Sequence, residues 1–226
     1  TCALPILKIY TLFSNSHSHL LYQYFIPSLF KVEDNIDLVI RKLPQLCSTG
    51  VYGQDGWFET MLMKVEFHIL SCIENMGSTF IYSDCDVQFL QPFIDLVKEE
   101  IQDYDLACQN DIHPYGDRPT YCAGFFICKA SETSLAFFKK ILSDMLAKRE
   151  FPQYNDQSAL NENLHMLKHK ILSNRFYTIA QTTNLLWAEN YNIKIPSDIV
   201  VHHANWTHGV SNKMKLLNFI KEKIHI

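Results

Sequence analysis

Two aspartates separated by one residue, Asp84 and Asp86, follow the apolar stretch "TFIYS" within the run "TFIYSDCDVQFLQPF" at residues 79 to 93. Side chains at i and i+2 leave a strand on the same face, so both carboxylates point to one spot, where they repel unless a cation lies between them. Oxygen donors of this kind suit a hard divalent ion. For Asp-x-Asp alone, the plain alternative is a solvated strand end with two ordinary surface acids. Its position directly after "TFIYS" favours metal.

The elements that must position this pair alternate between strand and helix patterns. "LPILKIYTLF" (4 to 13) and "IDLVIRKL" (36 to 43) read as strands. "GWFETMLMKVEFHILSCIENMG" (56 to 77) reads as a helix with Phe58, Met61, Leu62, Val65, Ile69, Cys72 and Ile73 on one apolar face, Lys64 on the polar side and Gly77 as a stop. After the "TFIYSD" strand come a helix near 93 to 102, a short strand "YDLACQ" and a strand "YCAGFFICKA". "SETSLAFFKKILSDMLAKRE" opens with a Ser-x-x-Ser cap and continues as an amphipathic helix. "FPQYNDQSALNENL" is a loop entering a helix, followed by strand-like "RFYTIA" and "DIVVHHAN" and a helical tail "SNKMKLLNFIKEKI". "SNSHSH" reads as a loop. No repeat, low-complexity tract or linker interrupts the pattern, so a single α/β domain over 1 to 226 is expected.

Composition limits the partners. The chain has 226 residues, 47% apolar and 19% charged, with a net charge of -4. It is long enough for a sizeable core, and it lacks the concentrated Lys and Arg that nucleic acids or anionic membranes require. No stretch is apolar enough to span a bilayer. The seven cysteines are scattered without a Cys-x-x-Cys pair, which fits reduced thiols in a cytosol-like compartment. The sequon Asn205-Trp206-Thr207 lies inside a candidate site, which points the same way. Thr1 is not an initiator Met, so a leader, a tag or a neighbouring domain is compatible with this sequence.

"FIYSDCDVQFLQPF" resembles the Asp-x-Asp segment of GT-A-fold glycosyltransferases, in particular the nucleotide-diphospho-sugar transferase group. Three further segments match in the expected order: "YCAGFFICKA" the glycine-containing strand beside the donor sugar, "YNDQSALN" an acid at a helix start that faces the acceptor, and "VHHANWTHGVSNK" a metal-binding histidine followed by a lysine. The matches run from about residue 4 to 217. They imply a Rossmann-like mixed sheet of about seven strands flanked by helices, with a nucleotide-binding half at about 1 to 90 and an acceptor-side half at about 91 to 226.

The implied activity is metal-dependent transfer of a hexosyl or deoxyhexosyl group from a nucleotide diphosphate, most often UDP, to a hydroxyl of a glycan or another acceptor. Mn²⁺ or Mg²⁺ would neutralise the leaving diphosphate. The resemblance makes Asp86 a direct ligand, and makes Asp84 either a ligand through water or a holder of the ribose. His203 is the third ligand, since an imidazole beside carboxylates is tolerated by such ions, and His202 on the opposite strand face is structural. Lys213 would meet the diphosphate as a point charge, or else be an exposed helical lysine. Lys64 would reach the donor or Asp84. Gly124, lacking a Cβ, would let the backbone approach the donor sugar, or mark a simple bulge. Thr11, Phe13 and Ser14 are candidates for base and ribose, because α/β sheets bind ligands beyond their strand carboxyl ends. Asp156 caps its helix, accepts the acceptor hydroxyl's proton or orients the acceptor.

Two other readings compete. A haloacid-dehalogenase-type phosphatase also uses Asp-x-Asp after an apolar strand, but near its N-terminus and with a later acidic pair that is not evident here. A non-catalytic nucleotide-sugar-binding module would keep the donor residues without a working acceptor site.

Overall fold

The computed structural model describes residues 7–48, 51–112, 120–151, 153–183, 186–189, 191 and 193–224. Cys2 and residues 4 to 6 of the first expected strand lie outside these. The chain runs β1 (Leu7–Phe13), α1 (Ser18–Leu20), α2 (Ile26–Val32), β2 (Ile36–Lys42), α3 (Trp57–Glu74), β3 (Thr79–Ser83), β4 (Val87–Phe89), α4 (Ile94–Ile101) and β5 (Leu106–Asn110). It continues β6 (Tyr121–Lys129), α5 (Glu132–Ala147), α6 (Asp156–Asn163), β7 (His169–Ile171), β8 (Phe176–Thr178), β9 (Val201–His203) and α7 (Val210–Ile224).

A mixed six-stranded sheet has the order β2-β1-β3-β6-β5-β7. β1 is parallel to β2 and β3, and β6 is antiparallel to both β3 and β5. Alternation along the strands sends successive side chains to two separate cores. Ile9, Ile81 and Phe125 join the core shared with α2, α4 and α7, whereas Tyr10, Tyr82 and Phe126 join the core under α3, α5 and α6. A second sheet, β4-β9-β8, brings the segment after Asp86 against His203: Val87 pairs with His203 across an antiparallel ladder. Where seven or so strands are expected, the described residues form nine, six in one sheet and three in the other. Strands three residues long leave too little alternation to be counted from sequence.

α3 differs from its expected orientation. Its buried residues are Lys64, Val65, Phe67, His68, Ser71 and Cys72, while Ile73 is half exposed. Phe58, Met61, Leu62 and Ile69 only flank the core. The rotation places Lys64 and His68 inward, where each finds partners that a count of apolar spacing overlooks. "SNSHSH" is likewise not a plain loop, since a 3₁₀ turn (Asn15–His17) leads into α1, and a π-turn (Leu21–Phe25) joins α1 to α2. The Ser-x-x-Ser cap of α5 forms reciprocally: Ser134 N donates to Ser131 Oγ at 3.1 Å and Ser131 N to Ser134 Oγ at 2.7 Å. Among the described residues, no helix is long and apolar enough to cross a membrane.

Candidate active site

A cleft of about 1110 Å³ opens above the carboxyl ends of β1 and β3, where the strand-end rule places ligands. At its floor, Asp84, Asp86 and His203 each offer a donor atom, all within 4.8 Å of one another. Asp84 directly follows β3, Asp86 directly precedes β4 and His203 ends β9, so the pairing of β4 with β9 closes the triangle.

Gly124 explains why the triangle can be so tight. A Cβ there would lie 2.3 Å from His203 Cε1, 2.6 Å from Asp84 Oδ2 and 3.1 Å from His203 Nε2. Its carbonyl also accepts from Asp84 N at 2.7 Å. The absent side chain leaves room beside the Asp84 carboxylate and the His203 imidazole, and with Asp86 these make a mixed oxygen and nitrogen donor set that can hold a divalent cation.

Each aspartate has its own cation. Lys64 Nζ lies 3.0 Å from Asp84 Oδ1 and 3.0 Å from Asp156 Oδ2, with the ammonium almost wholly buried. Burial alone would lower the Lys64 pKa, yet Asp156 and Asp84 raise it well above the usual lysine value. Tyr82 adds a 2.7 Å hydrogen bond from its hydroxyl to Asp84 Oδ1. On the other side, His203 Nε2 lies 3.2 Å from Asp86 Oδ1, and Lys213 pairs with Asp86 Oδ2. Burial would push the Asp86 carboxyl up, but Lys213 and His203 hold it well below the ordinary carboxylate range.

The neighbouring histidine is different. His202 points away from the triangle, wholly buried, with Nδ1 3.2 Å from Gln88 Nε2. Burial lowers its pKa to about 3, so it is neutral.

Phe13, Ser14, Lys64, Gly124, Asp156 and Lys213 all line the cleft with the triangle. Thr11 does not reach it. It is wholly buried in β1, two residues, or about 7 Å, below the strand end. Asp156 is not the helix cap that its position suggested. Asn155 is the cap, accepting from Ser158 N at 2.8 Å, so the Asp156 carboxylate is left for Lys64.

The cleft also contains residues that sequence reasoning passed over. Asp111, one residue past β5, accepts from Gln157 Nε2 at 2.8 Å, from Asn205 Nδ2 at 2.9 Å and from Trp206 Nε1. Gln157 Oε1 accepts in turn from Ala123 N at 3.2 Å. Trp206 adopts φ 54, uncommon for a bulky residue, held there by the Asp111 bond and by Trp187 N donating to its carbonyl at 2.8 Å. Gln157, Asn205 and Trp206 lie inside segments already singled out. Asp111 is an isolated acid whose only signal is its place at a strand end.

Residues 31–217 match the family model described as nucleotide-diphospho-sugar transferase. No curated protein matches by sequence. Among solved structures, a glycosyltransferase involved in the glycosylation of the major capsid of PBCV-1 aligns with TM-score 0.65 and 8% identity, over 95% of this chain and 100% of that one. The galactosyltransferase LgtC, solved with donor and acceptor sugar analogs, aligns with TM-score 0.56 and 13% identity, over 94% and 96%. The glycosyltransferase GlyE of Streptococcus pneumoniae TIGR4 aligns with TM-score 0.54 and 14% identity over 76% of this chain; the match spans 47% of GlyE, about half its length. These likenesses show the fold, which is GT-A.

Proposed function

Since the chain belongs to the nucleotide-diphospho-sugar transferase family, we propose that it transfers a sugar from a nucleotide diphosphate, UDP in the first instance, to an acceptor hydroxyl, with a divalent metal as cofactor. The observation that carries this reading is the Asp84, Asp86 and His203 triangle beside Gly124. These three residues would hold Mn²⁺ or Mg²⁺, which when bound supplies Lewis-acid neutralisation of the departing diphosphate.

The chain's own groups do the rest. Lys213 reaches the Asp86 corner from α7 and can share its ammonium with diphosphate oxygens, opposing the charge that grows as the sugar bond breaks. Phe13 and Ser14, at the end of β1, form the nucleoside wall. Lys64 holds Asp84 and Asp156 in fixed positions, which is pre-organisation rather than chemistry. Asp156 faces the acceptor side, where its carboxylate can orient the reacting hydroxyl or take its proton. Gln157 and Asp111 fix one another beside it.

The test is thermal shift and turnover with UDP-, GDP- and dTDP-sugars in Mn²⁺. Stabilisation by one nucleotide class, together with release of its nucleoside diphosphate, supports transfer. Binding without turnover of any donor would point to a binding module, and no stabilisation by any nucleotide sugar would contradict the donor assignment.

A further inference from the structure

Resting on that reading of the cleft, we infer that the acceptor is a pyranoside and that its ring, or the ring next to the reacting one, sits on an aromatic corner formed by Tyr52 and Trp57. The two rings have centroids 4.5 Å apart at an interplanar angle of 57°. Both line the cleft, and Tyr52 is 53% exposed. Trp57 begins α3, and Trp57, Thr60, Met61 and Lys64 recur at i, i+3, i+4 and i+7 along the cleft wall. Seven residues of helix rise about 10 Å, so this stripe leads from the aromatic corner down to Lys64, whose ammonium holds Asp156. An acceptor presenting its hydroxyl to Asp156 therefore extends along a wall of neutral side chains and ends on the rings.

The shape and rigidity of the corner favour a sugar. The C–H bonds on the face of a pyranose carry partial positive charge, which an aromatic face attracts through its quadrupole. A pyranose lies with its C–H face flat on one of these rings, and the other ring, in contact with the first at 4.5 Å, backs it. The proposed nucleoside wall of Phe13, Ser14 and His17 comes from the end of β1 and the turn after it, whereas the corner comes from the segment before α3 and from its first residue. The Trp57 side of the corner is also held in place by the start of α3. Gly56, at φ 78, lies so close to the backbone of Leu46 that a Cβ would come within 2.2 Å of its carbonyl oxygen, and Thr60 Oγ donates to Gly56 O at 2.8 Å. A platform fixed before binding loses little entropy when a ligand arrives.

The experiment measures release of nucleoside diphosphate from the donor that binds best, with and without a panel of methyl pyranosides and a Ser/Thr peptide, alongside calorimetric affinity for UDP in Mn²⁺. At least one methyl pyranoside should stimulate the wild type. Trp57→Ala should raise the KM for that pyranoside at least tenfold while leaving the UDP Kd within twofold, and Trp57→Phe should recover most of the loss. Tyr52→Ala, at an exposed position that tolerates truncation, should raise the same KM without touching UDP. A parallel loss of UDP affinity would assign the corner to the nucleobase. An unchanged KM in both alanine variants, or stimulation of the wild type by the peptide alone, would overturn the proposal. Failure of the wild type to bind UDP counts instead against the donor reading.

Discussion

The two lysines at the floor of the cleft carry the same charge and do different work. Lys64 is buried between two carboxylates, with two ion pairs at 3.0 Å, and its own helix is packed against the sheet. Lys213 sits at the more open end, with its side chain 20% exposed, and Asp86 as its carboxylate partner. A cation saturated by two acids serves as a strut, whereas one with a single acid and access to the cleft can be shared with an incoming anion. The groups around the triangle reflect this. Asp84, Asp86 and Asp156 set three negative charges against two ammonium ions, leaving a formal excess of one negative charge for a divalent ion.

Removing each lysine in turn should have different consequences. Lys64→Met leaves Asp156 buried without its counter-charge, and removing one partner of a buried pair typically costs about 3–5 kcal/mol. The urea midpoint of Lys64→Met should therefore fall steeply. Lys213→Met should move that midpoint far less, and should instead weaken UDP more than uridine, because only the former presents the diphosphate. Equal destabilisation by the two substitutions would dissolve the distinction between strut and shared cation.

Gly124→Ala sharpens the same contrast from the backbone side. The new methyl would be driven between Asp84 and His203, at 2.6 Å and 2.3 Å from their nearest atoms. Mn²⁺ affinity, read by electron paramagnetic resonance, should fall at least tenfold, and the thermal transition should remain cooperative. Unchanged Mn²⁺ affinity would place the ion elsewhere.

A smaller effect separates the strut's surroundings from the metal side by pH. His68, one turn beyond Lys64, is buried against Tyr82 and Phe126 with ring centroids at 4.2 and 5.0 Å. Burial, helped by the Lys64 charge, holds its pKa well below the ordinary 6.5. The unfolded chain takes up this proton as pH falls through 6.5 while the folded chain does not. The contribution of neutral His68 is therefore complete above 6.5 and erodes below it, by up to about 1.4 kcal/mol per pH unit. His68→Phe should flatten the pH dependence of unfolding between 6.5 and 5 by about one proton. An unaltered slope would mean that His68 titrates normally.

How far the sequence revealed the site depends on how local each signal was. Asp84, Asp86 and the His203 segment are legible because the aspartates follow β3 and His203 ends β9, and strand ends converge in an open α/β sheet. Lys64 was found but assigned to the wrong face of α3, since apolar spacing cannot register an inward lysine whose partners, Asp84 and Asp156, lie 20 and 92 residues on. Thr11 falls outside the cleft although the strand end at 13 is legible, because two residues of strand separate it from the wall and its side chain is wholly buried. Asp156 looked like a cap because Asn155 and Asp156 are both good capping residues, and only the backbone decides between them. Asp111 had no spacing partner at all. Its three donors come from α6 and from the segment after β9, some 46 to 95 residues away.

Donor binding at the Asp86 side should run through a metal ion. UDP titrated calorimetrically into the wild-type chain should bind saturably in Mn²⁺ and lose at least tenfold in affinity in EDTA. Restoring Mn²⁺ should bring the affinity back in the wild type but not in Asp86→Asn. Equal UDP affinity with and without metal, or full recovery by Asp86→Asn, would contradict the account.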